Sequence, residues 1–189
     1  MPLWKVSIEG RHHIGFNRTY MLVANHQSML DILVLYGLFR PFKWVSKQEL
    51  FRLPFFGWNM WMAGYVSLQR ERKGSIAKMM RDCRVQLEQG SSIMMFPEGT
   101  RSPDGRMRRF REGAFIMAKD AGVPIVPIAI AGTRDALPKG GLLMRSIRRV
   151  PMRVHILAPL SPDAAAEPEQ TAQLAHQLIQ QELDAMISS

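Results

Sequence analysis

The chain has 189 residues and 47% hydrophobic content, enough to bury one sizeable core. Its 25 Lys and Arg against 16 Asp and Glu leave a formal charge of +9, which favours an anionic partner (nucleic acid, anionic lipid or an acidic carrier protein) without choosing among them. A lone cysteine, Cys83, excludes an intrachain disulfide and fits a reducing compartment, and with no apolar run of about 18 residues there is no candidate for a spanning helix.

In chain order, Trp4, Val6 and Ile8 alternate with Lys5 and Ser7, which predicts a half-buried strand at the amino terminus rather than a signal peptide. Tyr20 to Ala24 is a second strand, and Ser28 is placed to cap a helix whose apolar residues Leu30, Leu33, Val34 and Leu38 run to about Phe39, before Pro41. Phe42 to Ser46 reads as a strand and Lys47 to Arg52 as a short helix. Leu53 to Ala63 is aromatic and apolar but too short to span a bilayer, so it is either an interfacial patch or core. Tyr65 to Leu68 predicts a strand, and Ser75 to Gln89 a helix stopped by Gly90. Cys83 falls inside that helix between Asp82 and Arg84, which reads as a packing residue rather than a nucleophile. Ser92 to Phe96 is a buried strand and Glu112 to Ala121 a helix, while Val123 to Ile130 is a strand whose prolines suggest an edge position or an irregular entry. Met152 to Leu157 is a further strand, and a helix from about Glu169 to Ile187 closes an alternating pattern that argues for an α/β fold, a mixed sheet covered by helices. No repeat or linker interrupts it, so residues 1–189 read as a single domain.

Two short segments carry chemistry. Asn25-His26-Gln27-Ser28-Met29-Leu30-Asp31 follows the second strand, so His26 emerges at the mouth of the sheet and Asp31 falls in the first helical turn, able to face back toward it. An imidazole oriented by a carboxylate is a general base with its tautomer fixed. Taken alone, the pair is equally a surface histidine beside an aspartate favoured by the helix amino terminus. The second segment is Phe96-Pro97-Glu98-Gly99-Thr100-Arg101-Ser102, where an apolar strand turns sharply at Gly99 and presents Arg101, a planar fork suited to phosphate, among the hydroxyls of Thr100 and Ser102. Glu98 either contacts an acceptor hydroxyl or organises the loop, and the bland alternative is a polar turn with a Glu98 to Arg101 ion pair.

In this order the two segments resemble the glycerolipid acyltransferases of the 1-acyl-sn-glycerol-3-phosphate acyltransferase (lysophosphatidic acid acyltransferase) family, where a His-x4-Asp motif precedes Phe-Pro-Glu-Gly-Thr-Arg. The resemblance covers about Gly10 to Leu160. Gly64-Tyr65-Val66-Ser67-Leu68-Gln69-Arg70 is similar to the family's intermediate motif, and Val123-Pro124-Ile125-Val126-Pro127-Ile128 to its last one. The resemblance implies an acyltransferase that moves a fatty acyl group from acyl-CoA or acyl carrier protein to the free hydroxyl of 1-acylglycerol-3-phosphate, giving phosphatidic acid without an acyl-enzyme. By the match, His26 and Asp31 are the catalytic dyad, and Arg70, Glu98, Gly99, Thr100 and Arg101 form the acceptor site, with Lys47 a further phosphate contact. No cofactor or metal is implied, and the location implied is the cytoplasmic side of a membrane, peripherally associated. Two features depart from the family pattern. Ser67 and Gln69 stand where an aromatic residue and an acid are usual, and the first strand begins almost at Met1, where many members carry a hydrophobic helical segment. Membrane contact then comes from elsewhere, or the chain is a shortened form.

Other classes explain less. Arg106, Arg108, Arg109 and Arg111, with Arg145, Arg148, Arg149 and Arg153, form basic runs that would suit coenzyme A, a carrier protein, lipid headgroups or nucleic acid, but no nucleic-acid motif accompanies them. A metal hydrolase built on His12, His13, His26 and Asp31 lacks the His-x3-His spacing of a helical zinc site, and His12 and His13, read as strand neighbours, would point to opposite faces. A different lysolipid acceptor and a noncatalytic membrane- or carrier-binding module are the nearer alternatives.

Overall fold

The computed structural model describes residues 5–69, 72, 74–102, 104–137, 150–164 and 167–188. Among these residues seven strands form one sheet in the order β1-β7-β6-β2-β5-β3-β4. They are β1 (Val6–Glu9), β2 (Met21–Ala24), β3 (Lys43–Lys47), β4 (Val66–Leu68), β5 (Ile93–Met95), β6 (Ile125–Ala131) and β7 (Met152–Ile156). All neighbouring pairs are parallel except β6 with β7, which run antiparallel, so β1 and β7 oppose the other five strands and the expected mixed sheet is observed.

Among the described residues six α-helices accompany the strands: α1 (Leu30–Tyr36), α2 (Phe56–Met62), α3 (Ser75–Glu88), α4 (Gly113–Asp120), α5 (Thr133–Ala136) and, after the last strand, α6 (Pro168–Ser188). One face of the sheet packs against α3, α4 and α6, and the other against α1 and α5. Strand β2 is therefore buried on both sides, which is why Met21-Leu22-Val23-Ala24 shows no polar alternation. Cys83 lies in the first of these layers, its thiol pushed up to about 12 by burial, with Asp82 adding to the shift. A thiol so protonated and enclosed is a packing group, as the helical pattern around it predicts.

Three expectations are corrected. Strand β6 is not at an edge: it lies between β2 and β7. Pro124 precedes it, and Pro127 is tolerated because a strand residue's N–H and C=O point to one side. The Pro127 carbonyl accepts the Leu157 N–H at 2.9 Å, so its missing donor faces the point where β7 has already ended at Ile156. His12 and His13 are not strand neighbours but lie in a 3-10 turn (Arg11–His13), their rings 4.1 Å apart, with His13 Nδ1 paired to the Ile156 carbonyl. The first long helix ends at Tyr36 rather than about Phe39, because Gly37 closes it and Phe39 takes a φ of 51°.

The Leu53 to Ala63 segment resolves in favour of exposure. Within α2 only Gly57 and Met60 are buried among the described side chains, whereas Trp58, Trp61 and Met62, with Phe55 just ahead, are open to solvent, Trp61 at 77%. Core packing does not account for these aromatic residues.

Candidate active site

The five co-directional strands bring the carboxyl ends of β2, β5, β3 and β4 to one edge of the sheet. Asn25, buried just past β2, clamps that edge. Its Nδ2 donates to the Ile130 carbonyl at 2.9 Å and its Oδ1 accepts the Ile130 N–H at 2.8 Å, so the chain leaves the sheet at a point fixed against β6. His26 comes next, and its ring stacks on Phe96 from the adjacent β5 with centroids 3.9 Å apart and planes 8° from parallel. Trp44 backs Phe96 at 5.4 Å. The imidazole is thus held by apolar faces before any polar contact is counted.

Asp31 is fully buried and surrounded by donors. Its Oδ2 lies 2.9 Å from His26 Nδ1 and accepts the N–H groups of Gln27 (2.7 Å) and Ser28 (2.8 Å), while Oδ1 accepts the Thr133 hydroxyl at 2.5 Å. These bonds, with the first-turn position in α1, offset the cost of burying the charge. With a carboxylate on Nδ1, that nitrogen carries the proton and Nε2 is left as the basic lone pair. The N-cap of α1 is Met29 rather than the expected Ser28, whose hydroxyl accepts the Leu30 N–H at 3.2 Å and donates to the Leu137 carbonyl at 2.6 Å.

The Glu98-Gly99-Thr100-Arg101 turn is bonded directly to the histidine. Glu98 is buried, with Oε1 accepting the His26 N–H at 2.7 Å and Oε2 the Arg108 N–H at 3.0 Å. Both oxygens are committed to main chain, so of the two roles open from sequence the geometry suits loop organisation rather than contact with an acceptor. Ser102 N–H donates to the His26 carbonyl at 2.9 Å, closing the turn onto the same residue. Gly99 sits at φ 74°, and a Cβ there would meet the Arg111 guanidinium at 3.2 Å, so any side chain would be strained and would displace that arginine. Ser102 and the Arg106 N–H then hold Asp104 in a second tight turn, the Arg106 amide foremost in keeping its carboxyl below the usual range.

Thr100 and Arg101 are half-buried on this turn, and Lys47 is exposed at the carboxyl end of β3, on the same edge of the sheet as His26. Arg70 lies outside the described residues, as do Arg145, Arg148 and Arg149. Sequence reasoning missed Thr133, which reaches Asp31 across 102 residues of chain, and the placement of Arg111 against Gly99. Thr133 is itself fixed by Gly132, at φ 82°, where a Cβ would stand 2.1 Å from the Pro151 carbonyl oxygen.

Burial, opposed by the His26 and Arg108 amides, raises the Glu98 carboxyl above its usual range. A raised carboxyl pKa means that the folded chain holds this proton more tightly than the unfolded chain. Its contribution to stability is thus present below the unfolded value of 4.5 and lost as pH rises through the folded pKa. Glu98→Gln is expected to remove that loss. In urea unfolding followed from pH 4 to pH 7, the difference between wild type and variant should change with pH, and a constant difference would refute the assignment.

The site and sheet define an α/β protein with one oriented imidazole at the carboxyl edge of its parallel strands. An acyltransferase family model matches residues 5–131, and the chain belongs to the acyltransferase family. Among its relatives, a 1-acyl-sn-glycerol-3-phosphate acyltransferase of Chlamydomonas reinhardtii is 40% identical over 164 residues, covering 86% of this chain and 49% of that protein. A chloroplastic 1-acyl-sn-glycerol-3-phosphate acyltransferase of Arabidopsis thaliana is 42% identical over 140 residues, 74% of this chain and 39% of its own length. The chain thus spans about half the length, or less, of these curated relatives. The crystal structure of the 1-acyl-sn-glycerophosphate (LPA) acyltransferase PlsC from Thermotoga maritima superposes with a TM-score of 0.84 at 27% identity, covering 98% of this chain and 73% of that one.

Proposed function

We propose that the protein transfers a fatty acyl group from a thioester, acyl-CoA or acyl carrier protein, to the sn-2 hydroxyl of 1-acylglycerol-3-phosphate, yielding phosphatidic acid and free thiol, and that residues 1–189 work as one acyltransferase domain. The observation that carries this reading is the His26 Nδ1 to Asp31 Oδ2 pair, seated in a ring of donors and bonded through its main chain to the Glu98 to Ser102 turn. As the acceptor oxygen attacks the thioester carbonyl, His26 Nε2 takes its proton, and Asp31 stabilises the imidazolium. Collapse of the tetrahedral intermediate breaks the C–S bond, and the imidazolium returns the proton to the departing sulfur.

Direct attack, without an acyl-enzyme, is supported by where the hydroxyls and the thiol are. Ser28 donates to Leu137, Thr133 to Asp31 and Ser102 to Asp104, while Cys83 lies in the packing layer of α3, α4 and α6. None of these hydroxyl or thiol groups is hydrogen-bonded to the His26 ring among the described residues.

Arg101 binds the acceptor phosphate, aided by Lys47 and Arg70, on a turn whose shape Glu98 and Gly99 maintain. Arg101→Ala is therefore expected to raise the KM for 1-acylglycerol-3-phosphate by about tenfold or more, in keeping with the roughly 1.5–3 kcal/mol of a hydrogen bond to a charged group. The KM for the acyl donor should be unchanged; equal effects on both would remove Arg101 from the phosphate.

The protein reads as a peripheral membrane enzyme on the cytoplasmic side. No helix among the described residues is long and apolar enough to cross a membrane, but the solvent-facing aromatic residues of α2 and the net positive charge suit an anionic bilayer surface. Trp58→Ala and Trp61→Ala should each weaken co-sedimentation with anionic vesicles; unchanged binding would sink this part of the reading.

A further inference from the structure

At the edge of the sheet opposite His26, a cavity of about 290 Å³ opens at the amino ends of β2, β3, β4 and β5. Strand β2 alone separates the two ends by about 13 Å at ~3.3 Å per residue, so the cavity is not part of the site described above. Ile14, Leu22 and Phe42 make its apolar floor, and all of its charged lining residues are basic: Arg18, Arg40 and Lys43. None of the three is ion-paired to a carboxylate among the described residues, and neutral groups hold them instead. Arg40 Nε donates to the Ile14 carbonyl at 2.9 Å and its guanidinium lies 3.7 Å from the centre of the Phe16 ring. Arg18 stands over Tyr20 at 5.8 Å, and Lys43 Nζ donates to Gln86 Oε1. Three positive charges around one cavity, Arg40 and Lys43 half-buried and Arg18 exposed, form a receptor for an anion.

An exposed aromatic side chain stands in the wall of this cavity, and further exposed apolar residues neighbour its lining in sequence. Phe16, which lines it, is 66% exposed, and Phe39, next to Arg40, is 76% exposed. Trp61 and Met62, just before the lining residue Ala63, are also open to solvent. Large apolar side chains left exposed next to lining residues suit a contact with another phase or molecule. A second copy of the chain would bring like charges together, and a soluble phosphate would leave the exposed Phe16 in the cavity wall without purpose. Both features match a lipid headgroup with the start of its acyl chains.

We propose that this cavity binds the phosphate of an anionic phospholipid at a bilayer surface, as a second lipid site distinct from the one around His26, with Phe16, Phe39, Trp61 and Met62 inserted around it. The proposal rests on the membrane-surface reading above and gives it a defined anchor. Co-sedimentation with vesicles of phosphatidylcholine, with and without phosphatidylglycerol, tests it in wild type, Arg18→Gln, the Arg18→Gln/Arg40→Gln double variant and Phe16→Ala. Arg81→Gln, an equal loss of charge at an exposed position on α3, serves as the comparison. Wild type should prefer the phosphatidylglycerol vesicles. Each cavity arginine removed should weaken that binding about fivefold, in line with roughly 1 kcal/mol per basic residue at an anionic surface. Phe16→Ala should weaken it too, Arg81→Gln should matter much less, and free glycerol 3-phosphate should not compete.

Cavity variants that bind like wild type, or an Arg81→Gln loss as large as the Arg18→Gln loss, would overturn the cavity while leaving membrane association intact. Competition by glycerol 3-phosphate would assign the cavity to a soluble phosphate instead. A wild type indifferent to every vesicle would overturn both the cavity and the membrane reading, while acyl transfer to a soluble short-chain acceptor would still report on the acyltransferase reading by itself. Should Arg40→Gln fail to fold because it loses its bond to Ile14, the solvent-exposed Arg18→Gln alone decides.

Discussion

His26→Ala is expected to lower acceptor-dependent acyl transfer by about a hundred- to ten-thousand-fold in kcat, the range typical of removing a positioned general base. The KM for 1-acylglycerol-3-phosphate should move little, because the proposed phosphate contact is on the Arg101 turn. That turn should survive the substitution. The bonds joining it to position 26, Glu98 Oε1 to the N–H and the Ser102 N–H to the carbonyl, use main chain only and persist with alanine. Phe96 loses a stacking partner, so a modest loss of stability is expected, visible in thermal unfolding without loss of cooperativity.

Asp31→Asn is expected to approach the same loss, about a thousand- to ten-thousand-fold, as when a triad aspartate is replaced by its amide. Asp31 accepts four hydrogen bonds, from His26, Gln27, Ser28 and Thr133. An asparagine has one acceptor oxygen, so its amide group must oppose either the Thr133 hydroxyl or the pair of main-chain N–H groups at Oδ2. If the amide faces His26, Nδ1 must become the acceptor, and Nε2 then carries a proton where the proposed reaction needs a free lone pair. Thr133→Val should produce a smaller loss of the same kind, in kcat rather than KM, and Thr133→Ser should restore it by returning the hydroxyl. A Thr133→Ser variant as impaired as Thr133→Val would show that the methyl group, not the hydrogen bond, matters.

What the sequence revealed is what it stores locally. His26 and Asp31 sit on either side of a helix start, and the run through Phe96 to Ser102 leaves a buried strand, so the neighbours of each residue announce its place. Alternation of apolar runs with amphipathic ones was sufficient for the strands, because a strand covered by helices on both faces must be apolar throughout. Thr133 shows the other case. It stands just past a buried apolar strand, as His26 does, which is a usable signal; its target, however, is brought near only by the pairing of β2 with β6.

Pro127 misled because prolines discourage central strands in general. Only the register with β7 reveals that its absent donor falls where the ladder has ended. The aromatic residues of α2 carry the same letters whether they fill a core or face a bilayer. Their exposure is set by where α2 packs in the folded chain, which local composition does not encode. The cavity beside Arg18, Arg40 and Lys43 had no signature either, since its lining comes from four separate connections at the amino ends of the strands.

The central claim is direct, base-catalysed acyl transfer to a phosphate-bearing acceptor. It is tested most directly by measuring free thiol released from oleoyl-CoA, with and without 1-acylglycerol-3-phosphate, for wild type beside His26→Ala, repeated with acyl carrier protein as donor. The expected result is release by wild type that depends on the acceptor and is lost in His26→Ala. Thiol release that proceeds equally without acceptor, or that survives His26→Ala in a well-folded protein, would contradict the account.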